Sequence, residues 1–134
     1  MLMSEKKIKT TSPADVYRVI KSILDAEENG NFQEHFYVLG LNNANVIQYI
    51  DLISLGTANE TVVHPRDIFR NAITKNIVSI IIAHNHPSGE NLPSMNDKSM
   101  TKRTVQAGEI LGIPVLDHVI VGETYYSFKE NSLL

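Results

Sequence analysis

Three stretches of the chain repeat apolar residues at intervals of three and four, the spacing of a helix that packs on one face. Ser12 and Pro13 predict the start of the first helix, because serine caps helix N-termini and proline suits the first turn. Asp15 completes this signal, and we expect the helix to end at Asn29-Gly30. Its predicted buried stripe consists of Val16, Val19, Ile20, Ile23 and Leu24.

Two further helices are predicted on the same grounds. His64-Pro65 opens the second helix, where His64 is interpreted as structural, and Asn76 ends it. The third spans residues 95–111 and is closed by Gly112. The predicted buried residues are Ile68, Phe69, Ala72 and Ile73 in the second helix, and Met100, Thr104, Ala107 and Leu111 in the third.

The segments between the helices predict strands, because they alternate polar with apolar residues or run continuously apolar. In the first strand, alternation places Glu34, Phe36 and Val38 on one face of the sheet. His35 then points to the opposite face. The predicted strands cover residues 32–41, 46–55, 77–83, 114–121 and 124–128, with a hairpin turn at 42–45 and a link at 57–63 that has room for a short strand.

The rest of the chain is organised around residues 77–83, a run of small or β-branched apolar side chains. Such a run is typical of a strand buried on both faces. It is followed at once by His84 and His86, and then by Pro87 and Gly89. These histidines are therefore predicted at the rim of the core, just beyond the carboxyl end of a strand, where sites collect in α/β folds.

His84, His86 and Asp97 form a candidate metal site. Residues two apart in an extended chain point to the same side, so the two imidazoles can meet at one point. Ten residues separate His86 from Asp97, and the intervening loop can bring the carboxylate back to that point. Two nitrogens and one carboxylate oxygen at about 2 Å suit Zn²⁺ and leave one tetrahedral position open, which is typical of a catalytic site.

These residues also have a structural interpretation. Ser94 and Asp97 are three apart, so they can form a capping box at the start of the third helix. A single histidine at a strand end is usually only a hydrogen-bonded partner, whereas the pair with a correctly spaced carboxylate favours a metal site. Ser94 can serve in both interpretations, as a helix cap or as a hydrogen-bond donor to a developing oxyanion.

The spacing of these residues resembles the JAMM signature of JAB/MPN metallopeptidase domains. His-x-His is followed after seven residues by Ser, and after two more by Asp, which here are His84, His86, Ser94 and Asp97. The wider context resembles the RadC-like branch of that superfamily over residues 10–128. It consists of Val63-His64-Pro65-Arg66-Asp67, the HNHPSG segment, and the stretch from Leu111 through Asp117-His118 to Gly122.

The resemblance implies a JAB/MPN-like, cytidine-deaminase-like α/β sandwich, with a central mixed sheet flanked by three helices. It implies a zinc-dependent hydrolase that cleaves a peptide or isopeptide amide in an unidentified peptide or protein substrate. Members of the superfamily use an upstream glutamate as general base. That role is assigned here to Glu34, at the start of its strand, although Glu27, Glu28 and Glu60 also lie upstream. Ser94 would share stabilisation of the oxyanion with the metal.

Composition narrows the function further. We expect 134 residues to form one domain, at 12–128, between a polar tail at 1–11 and a C-terminal tail at 129–134. With no cysteine, a metal must be held by nitrogen and oxygen, which excludes the zinc deaminase pattern. The chain has no apolar run of membrane-spanning length and no signal-peptide pattern near Met1. A cytoplasmic protein with no membrane partner is therefore predicted.

The charge pattern bears on nucleic acid as an alternative partner. A net charge of −3 argues mildly against a broad nucleic-acid surface. Basic clusters at Lys6, Lys7 and Lys9 and at Lys98, Lys102 and Arg103 are interpreted as solvated faces. RadC-like proteins carry a DNA-repair label, and longer members have a helix-hairpin-helix segment that we do not find in this chain. The alternative function is a DNA-associated binding module with a structural or inactive metal site; a metal-dependent nuclease has less support.

Overall fold

The computed structural model describes residues 8–28, 30–56 and 63–134. Within those ranges it contains one mixed five-stranded sheet and three α-helices. This confirms the α/β class and the architecture expected from the resemblance. In chain order the elements are α1 (Pro13–Ala26), β1 (Glu34–Leu41), β2 (Ile47–Gly56), α2 (Pro65–Thr74), β3 (Ser79–Asn85), α3 (Met95–Leu111), β4 (Val115–Val121) and β5 (Tyr125–Ser127).

Strand β3 is the centre of the sheet, whose strand order is β2-β1-β3-β4-β5. It pairs antiparallel with β1 and parallel with β4, and all its residues are buried, as the apolar run predicts. The strand begins at Ser79 and not at residue 77, because Asn76 has a left-handed φ of 52° and the chain still turns there. It continues through His84, because this residue is still paired with Phe36 on one side and Ile120 on the other.

The two faces of the sheet carry separate layers of the core. Alternation along β1 directs Tyr37 and Leu39 toward α1, and Phe36 and Val38 toward α2, as predicted. Glu34 shares the face of Phe36, which is the face that α3 also covers through its half-buried residues. The residues that become the candidate site therefore lie on the side of the sheet opposite α1.

The helix starts and the end of α3 follow their sequence signals, whereas α1 ends at Ala26, before the predicted Asn29-Gly30, and two stripe residues are exposed. Ser12 caps α1 by accepting a hydrogen bond from the Asp15 N–H, and Gly112 ends α3 in the left-handed region. The predictions that Ile73 and Leu111 are buried were wrong, since they are 54% and 45% exposed. Each lies in the last turn of its helix, past the buried positions.

The buried face of α3 is rotated from its prediction because its buried residues carry little apolar surface. They are Thr104, as predicted, and Thr101 and Gly108, which a pattern of apolar side chains does not reveal. A Cβ at Gly108 would lie 2.5 Å from the carbonyl oxygen of Ile113, so only glycine allows this close approach. The helix therefore packs most closely through small residues.

The chain ends contact the body of the domain within the described residues. Lys9, in the predicted N-terminal tail, forms an antiparallel bridge with Val46, and the Leu133 N–H donates to the carbonyl of Phe128. The predicted link at 57–63 lies outside the described residues except for Val63. In the part of the chain that is described, no helix combines the length and apolar character needed to cross a bilayer.

Gly40 provides a test of packing between β1 and β2. It pairs directly with Tyr49, and a Cβ at Gly40 would lie 2.1 Å from the Tyr49 ring. We expect Gly40→Ala to lower the free energy of unfolding by about 1–3 kcal/mol through overpacking. Urea denaturation measures this loss. In a Tyr49→Leu background the same change should cost clearly less, because the clashing ring atoms are absent; equal costs in both backgrounds would contradict this explanation.

Candidate metal centre

The elements bring His84, His86 and Asp97 together at the end of the sheet where β3 terminates. His84 is the penultimate residue of β3, His86 follows the strand, and Asp97 lies in the first turn of α3. His84 is almost fully buried, at 1% side-chain exposure, whereas His86 and Asp97 are 18% and 13% exposed. The group thus spans the boundary between the core and solvent.

The three side chains direct their polar atoms at one another. The Nε2 atoms of His84 and His86 are 3.0 Å apart. Asp97 places Oδ1 at 3.2 Å from Nε2 of His84 and Oδ2 at 3.1 Å from Nε2 of His86. One ligand atom from each residue lies within 4.8 Å of the others, and this donor set of two imidazoles and one carboxylate fits a zinc ion.

Asp97 also forms the capping box that was the alternative interpretation. The Asp97 N–H donates to Oγ of Ser94 at 3.0 Å, and the Ser94 N–H donates to Oδ2 of Asp97 at 2.8 Å. The cap and the contacts with the imidazoles occur together, so they are not exclusive. Ser94 is exposed, and its side-chain oxygen accepts in the cap, which leaves its hydroxyl proton free for another acceptor.

Glu34 joins the group from the neighbouring strand. Because Phe36 pairs with His84, Glu34 lies further along β1 toward the sheet edge where His86 follows β3. Its Oε1 is 4.0 Å from Nε2 of His84, and its side chain is 15% exposed. Glu27, by contrast, contacts His35 at 3.1 Å. Glu60 lies outside the described residues.

Sequence comparison identifies the family. The profile of the RadC-like JAB domain matches residues 10–133, nearly the whole chain. The chain belongs to this family. It is 44% identical over 124 residues to a UPF0758 protein from Rubrobacter xylanophilus, covering 92% of this chain and 53% of that protein. It is 42% identical over 135 residues to a UPF0758 protein from Alkaliphilus metalliredigens, covering 96% and 58%.

The RadC-like JAB chain thus spans about half the length of the curated relatives that it matches. A third relative, a UPF0758 protein from Caldanaerobacter subterraneus, is 50% identical over 113 residues, with 84% of this chain and 47% of that protein covered. The mixed sheet with helices on both faces is consistent with a JAB/MPN-like fold. Family and geometry together support a metal-binding group at His84, His86 and Asp97.

The electrostatics of the group favour an anionic Asp97. Burial opposes its charge, but hydrogen bonds from His84, His86 and the Ser94 N–H hold the pKa of Asp97 well below its usual range. Burial also opposes charge on His86, yet its hydrogen bond to Asp97 and the nearby carboxylates raise the pKa of His86 above 6.5. A metal cation bound by this group would therefore displace the proton of His86, which the neighbouring carboxylates stabilise.

A second layer behind His84 was not assigned a role from the sequence. Nδ1 of His84 lies 2.7 Å from Nε2 of His118, and Nδ1 of His118 lies 2.5 Å from Oγ1 of Thr101. Thr101 in turn donates to the carbonyl oxygen of Asp97 at 2.7 Å. The signal that could have found this layer is Asp117-His118, two polar residues in a strand that is otherwise apolar.

Asp117 and Phe128 hold His118 in place. The Phe128 ring stacks on the His118 ring at 4.4 Å between centroids. Asp117 accepts hydrogen bonds from Oγ of Ser127 at 2.6 Å and from the Lys129 N–H at 3.0 Å, which fixes the turn that carries Phe128. Complete burial lowers the pKa of His118 well below its usual value, so its ring is neutral.

A cavity lies beside His86 on the face of the sheet that α1 covers. Its volume is about 120 Å³, and Lys21, Asn31 and Glu123 also line it. Of His84, His86 and Asp97, only His86 lines this cavity, so the cavity reaches the margin of the group and not its centre.

We expect the purified chain to bind about one zinc ion. His84→Ala and Asp97→Asn should lose it, since the first removes an imidazole ligand and the second replaces the charged carboxylate with a neutral amide. Mass spectrometry of protein prepared without a His tag measures the metal. Asp97→Asn keeps a side-chain acceptor for the Ser94 N–H, so it tests metal binding while the helix cap is retained. Ser94→Ala is the matched control, because it removes the cap acceptor but retains all three ligands. Zinc retention in Asp97→Asn would contradict the site.

Zinc affinity should fall as pH is lowered through the pKa of His86, which lies above its usual 6.5. The protonated imidazole has no lone pair for the metal, whereas Asp97 stays ionised because its pKa is depressed. Competition titration with a chromophoric chelator between about pH 8 and about pH 5 measures this change. An affinity that is constant across that range would exclude histidine ligation.

Proposed function

We propose that this RadC-like JAB domain is a zinc-dependent hydrolase of the JAMM type that cleaves a peptide or isopeptide amide. The observation that carries the proposal is the arrangement of His84, His86 and Asp97 about one point, with the carboxylate of Glu34 beside them. A purely structural zinc site needs no additional carboxylate and is usually closed by four protein ligands. Three ligands and a neighbouring carboxylate favour a catalytic site over a structural one.

His84, His86 and Asp97 would hold the ion. When bound, zinc supplies the Lewis acidity that makes water a strong enough acid near neutral pH and that polarises a carbonyl. Glu34 would accept the proton of the attacking water and return it to the leaving amine. Its carboxylate is suited to this because it is only partly exposed and lies 4.0 Å from Nε2 of His84.

Ser94 would donate its hydroxyl proton to the oxyanion of the tetrahedral intermediate. Its oxygen already accepts the Asp97 N–H, which orients the hydroxyl at the first turn of α3. Removing one such donor typically lowers the rate on the order of 100-fold. Ser94 and Asp97 then serve the reaction from the same helix cap.

The proposed substrate is an unidentified peptide or protein, and the proposed location is the cytoplasm. Because the relatives are about twice as long, the activity of a whole protein of this family, including any part in DNA repair, is a further proposal.

The alternative is a DNA-associated module with a structural or inactive metal site. The exposed basic residues Lys98, Lys102 and Arg103 of α3 would contact the DNA phosphates in this alternative. This function would give DNA binding that weakens steeply with salt, an intact fold after metal removal, and no amide cleavage.

Glu34→Gln tests the hydrolase. Zinc-loaded parent protein is incubated with internally quenched peptides and isopeptide-linked peptide pairs, and cleavage is followed by fluorescence and mass. We expect Glu34→Gln to lower the rate by about 10²–10⁴-fold while zinc content is unchanged, because only the general base is lost.

Glu27→Gln is the matched control, since Glu27 is also an upstream glutamate but contacts His35 and not the metal ligands. It should retain the parent rate. Full activity in Glu34→Gln would exclude Glu34 as the base. A zinc-loaded parent that cleaves neither substrate class but binds DNA in a salt-dependent manner would favour the alternative.

A further inference from the structure

We propose that Thr101 and His118 are positioning residues, which fix the ring of His84 so that Nε2 is the nitrogen presented to the metal. This inference rests on the metal site of the proposed function, but not on the reaction that the site performs. The observations that carry it are three consecutive hydrogen bonds, from His84 to His118, from His118 to Thr101, and from Thr101 to the main chain of Asp97.

The direction of these bonds follows from their last member. The carbonyl oxygen of Asp97 can only accept, so the hydroxyl of Thr101 donates its single proton to it, at 2.7 Å. The oxygen of Thr101 must then accept in its contact of 2.5 Å with His118, and Nδ1 of His118 carries the proton. One main-chain carbonyl thereby sets the tautomer of His118.

The tautomer of His84 follows in the same way. His118 is fully buried, and a charged imidazolium without solvent is strongly disfavoured there. A neutral His118 with its proton on Nδ1 has a lone pair on Nε2, which accepts the proton of His84 Nδ1 at 2.7 Å. The free lone pair of His84 is therefore on Nε2, the atom that faces His86 and Asp97.

The chain of bonds also links two ligands to each other. Thr101 is one turn after Asp97 on α3, so the bonds run from His84 on β3 through His118 on β4 and back to the residue that supplies the carboxylate. Stacking of Phe36 on His84 and of Phe128 on His118 restricts rotation of both rings. Outer partners of this kind typically change metal affinity by about 10–100-fold.

A simpler explanation is that Thr101 only satisfies its own buried hydroxyl. Thr104 provides the comparison, because it is equally buried on the same helix and donates to the carbonyl of Met100 at 2.8 Å. Within the described part of the chain, Thr104 makes no hydrogen bond to a histidine, whereas Thr101 does. The two threonines therefore differ in the one feature on which the inference depends.

The experiment compares Thr101→Val, Thr101→Ser and Thr104→Val in the full chain. Competition titration gives the zinc dissociation constant, and nitrogen-15 NMR of the imidazoles gives the tautomers of His84 and His118. We expect Thr101→Val to weaken zinc binding by about 10–100-fold and to shift His118 away from the Nδ1-protonated tautomer. Thr101→Ser should restore both, and Thr104→Val should resemble the parent.

The inference is overturned if Thr101→Val and Thr104→Val have the same zinc affinity and His118 keeps its tautomer in both. That result with amide cleavage intact would leave the proposed function standing. If Thr101→Val weakens zinc binding and shifts the His118 tautomer but the parent protein cleaves no amide, the positioning role is supported and the proposed hydrolase function is excluded. A parent that takes up no zinc would overturn both.

Discussion

The candidate site depends on the complete burial of β3. Both faces of this strand are covered and both of its edges are paired, so polar side chains at its end must find partners inside the protein. His84 is such a residue, and each of its ring nitrogens has a partner, His118 on one side and the cluster with His86 and Asp97 on the other. The burial of β3 therefore fixes the orientation of the His84 ring, with Nε2 directed toward His86 and Asp97.

The capping box at the start of α3 also supplies part of the candidate site. Asp97 is in the first turn, where its carboxylate satisfies the Ser94 N–H and is favoured by the helix dipole. The same oxygen contacts His86, and the other contacts His84. A capping box is usually evidence that a serine and an acid have only a structural role. Here the helix begins close to the C-terminal end of β3, so the cap holds the carboxylate against both imidazoles.

Most of the fold could be predicted from local pattern, and so could the residues that come together. Alternation along β1 separated Glu34 from His35, and the spacing from His84 to Asp97 indicated one cluster. The pattern found Thr104 but failed at the buried Thr101 and Gly108, because a hydroxyl and a glycine carry no apolar signal. Their role depends on which strand α3 packs against, and that is a property of the tertiary structure.

Register is what makes Glu34 part of this group. Directly paired residues on neighbouring strands share a face, so the pairing of Phe36 with His84 puts Glu34 on the face of the histidines. A slip of one residue would present His35 there and turn Glu34 toward α1. In the observed register His35 instead contacts Glu27 and stacks on Tyr37, while its N–H donates to Oδ1 of Asn85 at 2.6 Å. Those contacts stabilise the register, so they hold Glu34 beside His84 without touching His84, His86 or Asp97.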